Sequence, residues 1–243
     1  MEPKRLSILI PVYNECKTVG IIIKKVKKVL SKLNCINEII VVDDGSKDGT
    51  YKKLKLIKGI KLIMHKRNKG KGKAIRTGLN YASGDWVIIQ DADLEYNPLD
   101  WIKLVETLRM IASKKSKTEE KIAIFGSRFL NKSRKQLKMP LLYYLGNKLI
   151  TGLVNLLFTP KNFSKLTDVE TCYKLMPSSA LKEINLTSSS FAVEVEITCK
   201  LLKKGYNIIE VPIDYKRRVK GKKLIWFKDG ILSILTLFRV LNS

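Results

Sequence analysis

The chain has 243 residues, of which 47 are Lys or Arg and 22 are Asp or Glu, so its formal net charge is +25. This length accommodates one sizeable domain with a continuous core, and a hydrophobic content of 45% is ordinary for a globular protein. The composition therefore excludes a disordered chain and an integral membrane chain. The charge predicts anionic partners, which could be nucleic acid, phosphorylated substrates or an anionic membrane.

Cysteine and histidine usage argues against a zinc site. The four cysteines are far apart and form no C-x-x-C pair, and the single histidine, His65, is expected to be structural or solvated. The charged residues 2–5 are not followed by the hydrophobic region of a signal peptide, so no secretory signal is expected. Together these features predict reduced thiols in a cytosolic protein.

The first two predicted strands both end at polar residues. Residues 6–10 form an apolar strand that leads into Pro-Val-Tyr-Asn-Glu at 11–15, and apolar residues at three- and four-residue steps predict an amphipathic helix over 18–33. A second buried strand, residues 38–42, runs directly into Asp43 and Asp44. Carboxylates at the end of a strand are placed to bind ribose hydroxyls or base N–H groups.

The third predicted strand, residues 59–64, is followed by a basic, glycine-rich segment at 67–74 and a helix to about residue 82. Glycines let the backbone approach a ligand, Lys71 and its neighbours add cationic donors, and the new helix N-terminus favours anions. The spacing is not that of a Walker A motif. A solvated basic loop is the alternative interpretation.

The fourth predicted strand, residues 86–89, ends at three carboxylates, Asp91, Asp93 and Glu95. Like charges this close repel each other unless a cation lies between them, and oxygen ligands favour Mg²⁺ or Mn²⁺. The segment predicts a metal–diphosphate site, with a solvated acidic turn as the alternative. Four α/β units then bring the polar ends of their strands to one edge of a mostly parallel sheet.

Taken together, these four segments resemble the nucleotide-sugar half of an inverting glycosyltransferase of family 2 with the GT-A fold. The matching motifs are Pro-Val-Tyr-Asn-Glu at 11–15, Asp-Asp-Gly-Ser-x-Asp-Gly-Thr at 43–50, Asn-x-Gly-Lys-Gly at 68–72 and Gln-Asp-Ala-Asp-Leu-Glu at 90–95. The resemblance implies a nucleotide-sugar site and a Mg²⁺ or Mn²⁺ site. The nucleotide-sugar candidates are Pro11, Tyr13, Glu15, Asp43, Asp44, Lys71 and Asp91, and the metal candidates are Asp91, Asp93 and Glu95.

Two apolar segments in the second half of the chain predict helices that lie in a membrane interface. They are expected near residues 140–159 and 228–241. The first is interrupted by polar residues and is barely long enough to span a bilayer, so an interfacial helix or a core helix fits it better. Between the two halves, a helix continues past residue 99, a charged surface linker is expected at 113–121, and a strand at 122–125 precedes Arg128.

Later motifs resemble the polyprenyl-phosphate branch of the same family, the dolichol-phosphate mannosyl- and glucosyltransferase-like enzymes. These motifs are Thr-Asp-Val-Glu-Thr-Cys-Tyr-Lys at 167–174, Phe-x-x-Glu-x-Glu at 191–196 and Arg-x-x-Gly-Lys-Lys at 218–223. The resemblance implies a lipid-phosphate acceptor flanked by Arg128, Lys148, Thr151, Arg217, Arg218 and Lys222. The chain departs from the family pattern in having valine at 195 instead of proline, and Lys148 matches the basic position of the helix only approximately.

The expected protein is one GT-A catalytic domain over 1–243, with a nucleotide-sugar half at 1–98 and an acceptor half at 99–243. It would move a hexose from a GDP- or UDP-sugar to polyprenyl phosphate, as a peripheral protein at the cytoplasmic face of a membrane. A phosphate acceptor is largely ionised near neutral pH, since its second pKa is about 6, so no side-chain base is required. Asp93, Arg128 and Asp168 are the expected catalytic residues.

Two other functions remain open. A family 2 transferase that acts on a saccharide or protein hydroxyl would need a carboxylate base, and Asp168 or Glu170 would have to serve. A nucleic-acid-binding protein would fit the charge. However, the basic residues are spread along the chain, aromatic residues do not interleave with them, and no nucleic-acid-binding motif is present. No nucleic-acid partner is therefore expected.

Overall fold

The structure is a computed structural model, and it describes residues 3–114, 121–218 and 226–243. In these ranges seven strands form one sheet in the order β3-β2-β1-β4-β6-β5-β7. The strands are β1 (Arg5–Val12), β2 (Ile36–Asp43), β3 (Lys61–Met64), β4 (Trp86–Ile89), β5 (Ile122–Ser127), β6 (Lys174–Pro177) and β7 (Asn207–Pro212). The helices are α1 (Val19–Leu30), α2 (Thr50–Lys55), α3 (Lys71–Asn80), α4 (Asp100–Lys114), α5 (Leu141–Leu157), α6 (Ser178–Glu183), α7 (Val193–Lys203) and α8 (Trp226–Leu241).

The first four strands form the parallel half of the sheet. β1 pairs in parallel with β2 on one side and with β4 on the other, and β3 pairs in parallel with β2. The apolar residues of β1 and β4 are buried, as expected for strands covered on both faces. The predicted α/β fold with a mostly parallel sheet is confirmed.

The second half of the sheet contains an antiparallel strand that the sequence did not reveal. β6 lies between β4 and β5 and is antiparallel to both, while β5 and β7 are parallel. β6 is only four residues long and begins with the fully buried Lys174, so no apolar run marks it. α7 carries the buried carboxylates Glu194 and Glu196 in its first turn, which hides its buried face from a search for apolar periodicity.

The two predicted interfacial helices, α5 and α8, are neighbours in the fold. α5 buries Asn147 and Thr151 beside Ile150 and Val154, while leucines occupy its opposite face. These exposed leucines are Leu141, Leu142, Leu145, Leu149 and Leu156.

α8 buries Leu237 and Val240 but also exposes large apolar side chains on its other face. Ser233 and Thr236 are buried, whereas Ile231, Leu235 and Phe238 are 42%, 54% and 46% exposed. Large apolar side chains normally lie inside and small polar ones outside. Within the described residues, no helix combines the length and the apolar character needed to cross a membrane.

Two predictions fall wholly or partly outside the described residues. The charged linker expected at 113–121 includes residues 115–120, and the predicted acceptor residue Lys222 lies in 219–225. The first half of the predicted basic loop, with Arg217 and Arg218, is described.

Candidate active site

Two adjoining depressions open at the carboxyl ends of the parallel strands, where an open α/β sheet places its ligand sites. The first, here called the outer cleft, has a volume of about 310 Å³ and is lined by Pro11, Tyr13, Glu15, Asp44, Lys71, Asp91 and Asp93, with Lys228 and Asp229 of α8. The second, called the inner cavity, has a volume of about 160 Å³ and adds Glu95, Arg128, Asn147, Glu170, Arg217 and Arg218. Glu15, Lys71, Asp91 and Asp93 line both depressions. The structure therefore brings most of the predicted site residues together at one edge of the sheet.

The two aspartates after β2 support the cleft in different ways. Asp44 lines the outer cleft, but its carboxylate accepts hydrogen bonds from the backbone N–H groups of Lys69 (2.9 Å) and Gly70 (2.7 Å). It also lies 2.6 Å from Nδ1 of His65, which has the structural role expected for it. Asp43 is fully buried and accepts a hydrogen bond from the N–H of Ser46. Asp43 does not line either depression here, and its role as a nucleotide ligand stays a prediction.

The three carboxylates of the acidic turn after β4 lie in different surroundings. Oδ1 of Asp91 lies 2.6 Å from Nζ of Lys71. Glu95 accepts hydrogen bonds from the hydroxyl of Tyr215 (3.0 Å) and from the N–H of Arg218 (2.5 Å). Burial, together with the charges of Asp91 and Glu95, raises the pKa of Asp93 to about 7. The repulsion expected among these carboxylates is therefore present.

A divalent cation fits Asp91 and Asp93, but the predicted three-carboxylate ligand set is not assembled. Glu95 is engaged with the chain at 215–218, and no group of three or more His, Cys, Asp or Glu in the described residues could hold a metal ion. Mg²⁺ is commonly held by only one or two carboxylates, with substrate phosphates and water as its other ligands. Asp91 and Asp93 are therefore the metal candidates that the structure favours, while Glu95 as a third ligand stays a prediction.

Arg128 and Asp168 form a bidentate ion pair at the wall of the inner cavity. Nε and Nη2 of Arg128 donate to the two carboxylate oxygens of Asp168, each at 2.7 Å, and the N–H of Arg128 donates at 3.0 Å. Burial would raise the pKa of Asp168, but the charge and hydrogen bonds of Arg128 outweigh it and lower that pKa. Asp168 therefore orients Arg128, and the remaining donors of the guanidinium can bind an anion in the cavity.

Two predicted acceptor residues on α5 do not line the inner cavity. Thr151 is buried beneath the helix, where its hydroxyl donates to Asn147 at 3.3 Å. Nζ of Lys148 contacts the rings of Phe129 (4.6 Å) and Tyr144 (5.6 Å). Asn147 is one of four residues of α5 that line the cavity, and its amide donates to Asp168 (3.1 Å) and Glu170 (3.0 Å). The assignment of Lys148 and Thr151 as acceptor-phosphate ligands stays a prediction, although neither side chain lines the cavity in this structure.

Two of the three basic side chains at 215–218 line the inner cavity. Nη1 of Arg218 lies 2.5 Å from Oε1 of Glu15, and Arg217 lines the cavity beside the ring of Tyr143. Glu15 thus joins the first strand to the C-terminal part of the chain. Both arginines line the same cavity as the carboxylate turn, and their role at an acceptor phosphate stays a prediction.

The sequence reasoning missed several site residues on α7 and α8. Glu194 lies between two buried lysines, 2.9 Å from Nζ of Lys71 and 2.7 Å from Nζ of Lys174. The repeated glutamates of Phe-x-x-Glu-x-Glu at 191–196 were the available signal, but the motif gave no role to either glutamate. Asp229 and Ser233 of α8 line the inner cavity, although this helix was expected only at a membrane interface.

Comparison with known proteins agrees with this arrangement. A family model described as "Glycosyl transferase family 2" matches residues 7–112. An uncharacterised protein of Methanocaldococcus jannaschii is 32% identical over 223 residues, which cover 85% of this chain and 87% of that protein. A dolichol-phosphate mannosyltransferase of Pyrococcus furiosus is 30% identical over 98% of this chain, which spans 64% of that enzyme.

A similar fold occurs in glucosyl-3-phosphoglycerate synthase of Mycobacterium tuberculosis, solved in complex with UDP. The TM-score is 0.68 at 18% identity, with 98% of this chain and 80% of that chain covered. The same synthase has also been crystallised with Mn²⁺, UDP and glucosyl-3-phosphoglycerate. The fold of the present chain is thus that of the GT-A glycosyltransferases.

Proposed function

Since the chain belongs to glycosyltransferase family 2, we propose that it transfers a hexose from a nucleoside-diphosphate sugar to polyprenyl phosphate. The transfer inverts the anomeric carbon and takes place at a membrane surface. The similarity to a dolichol-phosphate mannosyltransferase supports the lipid-phosphate acceptor, and the UDP complex of the structural neighbour supports a nucleotide donor.

One observation carries the proposal. The inner cavity places Arg128 and Arg217 near Asp91 and Asp93, and part of its wall consists of α5 and α8. The outer faces of these two helices are rich in exposed leucine, isoleucine and phenylalanine. An anion-binding cavity next to an exposed apolar surface suits a substrate that has a phosphate head and a lipid tail.

Different side chains of the site bind the donor and the acceptor. In the outer cleft, Tyr13 and Glu15 line the space for the nucleoside, and Lys71 lies at the junction with the inner cavity. Arg128, held in orientation by Asp168, binds the acceptor phosphate and aligns an oxygen for attack. Mg²⁺ or Mn²⁺ bound by Asp91 and Asp93 would stabilise the charge that develops on the departing diphosphate. No protein base is needed, because the phosphate is already a nucleophile.

The exposed apolar faces of α5 and α8 also indicate where the protein lies in the cell. We propose that the protein is peripheral, at the cytoplasmic face of a membrane, with α5 and α8 against the lipid and the basic side chains close to anionic headgroups. Each such Lys or Arg contributes about 1 kcal/mol near an anionic surface.

A hydroxyl acceptor is the second candidate function, and Glu170 is the observation that favours it. Its carboxylate lines the inner cavity, and burial together with the charge of Asp168 raises its pKa, whereas Asp168 itself is occupied by Arg128. General bases contribute about 10²–10⁴-fold to rate. A loss of that size in Glu170→Gln would favour a hydroxyl acceptor, and a clearly smaller loss would favour the phosphate.

The proposal is tested by transfer of label from a panel of GDP- and UDP-sugars into polyprenyl phosphate in detergent, with Mn²⁺ or Mg²⁺. Wild-type protein should form a labelled lipid with one donor, and Asp93→Ala should not. Donor hydrolysis or nucleotide binding without a lipid product would support the donor site and contradict the lipid-phosphate acceptor.

A further inference from the structure

Lys71 belongs to a line of four alternating charges that runs from the site into the core. Its Nζ lies 2.6 Å from Oδ1 of Asp91 and 2.9 Å from Oε1 of Glu194. The other oxygen of Glu194 lies 2.7 Å from Nζ of Lys174, whose side chain is fully buried. Lys71 is therefore a fixed cation with two anionic partners.

The segment that contains Glu194 also holds the backbone around Lys71. The N–H of Gly72 donates to the carbonyl of Ser189 at 2.8 Å. A Cβ at Gly70 would lie 2.2 Å from that same carbonyl oxygen, and a Cβ at Gly72 would lie 2.1 Å from the carbonyl oxygen of Ser188. The glycines on either side of Lys71 therefore allow close approach of residues 188–189, and this approach was not foreseen from the sequence.

Glu196 fixes residues 187–188 in turn. Its carboxylate accepts hydrogen bonds from the N–H groups of Thr187 and Ser188, each at 2.8 Å. The ring of Phe191 completes the enclosure, since its centroid lies 5.6 Å from Nζ of Lys71. All three defining residues of Phe-x-x-Glu-x-Glu at 191–196 thus act on the glycine–lysine–glycine turn.

We propose that Phe191, Glu194 and Glu196 form a cradle that positions Lys71 to bind the diphosphate of the donor. This inference rests on the proposed function. A donor that has its nucleoside in the outer cleft and its sugar towards the inner cavity must place its diphosphate at the junction, where Lys71 lies. Glu194 is a positioning residue, because its carboxylate still pairs with the ammonium of Lys71 when Asp91 binds a metal ion.

The neutral variant Glu194→Gln should weaken donor binding through Lys71. When Glu194 is neutral, Lys71 keeps Asp91 as its carboxylate partner among the described residues. The ammonium of Lys71 then stays paired with Asp91 and competes with the metal ion for the carboxylate oxygens. We expect the Kd of UDP or GDP, measured by calorimetry in Mn²⁺, to rise at least about tenfold in Glu194→Gln and in Lys71→Met.

A double-mutant cycle separates positioning from general damage to the fold. If Glu194 acts through Lys71, the variant Lys71→Met/Glu194→Gln should bind nucleotide no more weakly than Lys71→Met alone. The matched control is Glu38→Gln, a glutamate outside both depressions whose carboxylate accepts hydrogen bonds from Ser7 and Ser83. Its nucleotide affinity should equal that of wild type.

A second variant covers the case in which Glu194→Gln does not fold. Replacing Glu194 and Lys174 together by methionine removes the buried pair without leaving an unpaired charge, a change that proteins often tolerate. This double variant should also bind nucleotide at least about tenfold more weakly. Wild-type affinity in it, or additive effects in the cycle, would overturn the cradle while the proposed function stands. Failure of the wild type to bind either nucleotide would overturn the proposed function and the role of Lys71 with it.

Discussion

At the scale of single residues, the ion pair of Arg128 with Asp168 is the contact whose loss should have the largest effect. Asp168 is fully buried, and Arg128 is 11% exposed. Removing one partner of a buried pair leaves an unpaired charge and destabilises a protein by about 3–5 kcal/mol. We therefore expect Asp168→Asn to lower the free energy of unfolding by about that amount, measured by denaturant titration, and to abolish transfer.

A surface ion pair supplies the control for this prediction. Asp214, 68% exposed, pairs with Lys132, and surface pairs contribute about 0–1 kcal/mol. The variant Asp214→Asn should therefore unfold within about 1 kcal/mol of wild type. Equal losses in the two aspartate variants would contradict the assigned role of Asp168.

The same carboxylate predicts a dependence of stability on pH. Because Arg128 lowers the pKa of Asp168 in the folded state, the contribution of Asp168 is complete above its unfolded pKa of about 3.9. That contribution is lost as the pH falls through the lower folded pKa. The unfolding free energy of Asp168→Asn should therefore vary less steeply with pH below about 4 than that of wild type, and parallel curves would contradict the assignment.

At the scale of elements, the packing of residues 188–189 against the glycine turn can be tested at Gly72. A Cβ there would lie 2.1 Å from the carbonyl oxygen of Ser188, which is backbone and cannot rotate away. Overpacking of this kind costs about 1–3 kcal/mol, so Gly72→Ala should lower the melting temperature and weaken nucleotide binding.

The control for Gly72 is Gly152, a helical glycine of α5. A Cβ at Gly152 would have nothing within 4 Å. Alanine is favoured over glycine inside a helix by about 0.5–1 kcal/mol, so Gly152→Ala should keep or raise the melting temperature. If Gly72→Ala melted at as high a temperature as Gly152→Ala, the turn would have space for a Cβ, and the close packing at Gly72 would be contradicted.

The exposed apolar side chains of α8 predict a lipid-binding face. Phe238 is 46% exposed, so Phe238→Lys should leave folding intact and should reduce binding to lipid vesicles in a flotation assay. Leu56 lies after α2 and is 84% exposed, which makes Leu56→Lys a matched control expected to bind vesicles as wild type does. Equal binding by wild type and both variants would argue against a lipid contact at α8.

Sequence reasoning succeeded where local pattern and burial agree. β1, β2 and β4 are apolar runs with carboxylates at or shortly after their ends, and those carboxylates lie at the predicted edge. It failed where tertiary pairing decides the outcome. From the sequence, Lys174 and Glu194 would be expected at the surface as charged residues. Each is buried because it forms an ion pair with the other, which lies 20 residues away in the sequence. In the same way, Asn147 was overlooked in favour of Lys148, because only the rotation of α5 decides which neighbour faces the cavity.

At the scale of the whole molecule, the net charge of +25 predicts binding to anionic membranes that depends on salt. Binding to vesicles containing phosphatidylserine should fall as the salt concentration rises from 0.05 to about 0.5 M, since screening weakens exposed charges. Binding to neutral vesicles should change little, because it depends on the apolar faces of α5 and α8. Equal salt dependence for both lipids would contradict this division of roles.

The central claim is that the acceptor is a phosphate carried on a lipid, and competition between acceptors tests it most directly. Wild-type protein would receive its labelled sugar nucleotide with Mn²⁺, polyprenyl phosphate and 3-phosphoglycerate at equal concentration. After extraction with organic solvent, the label transferred should lie in the lipid phase, and Arg128→Lys should transfer much less because lysine lacks the planar fork. Label recovered in aqueous glucosyl- or mannosyl-phosphoglycerate, with none in the lipid, would contradict the account.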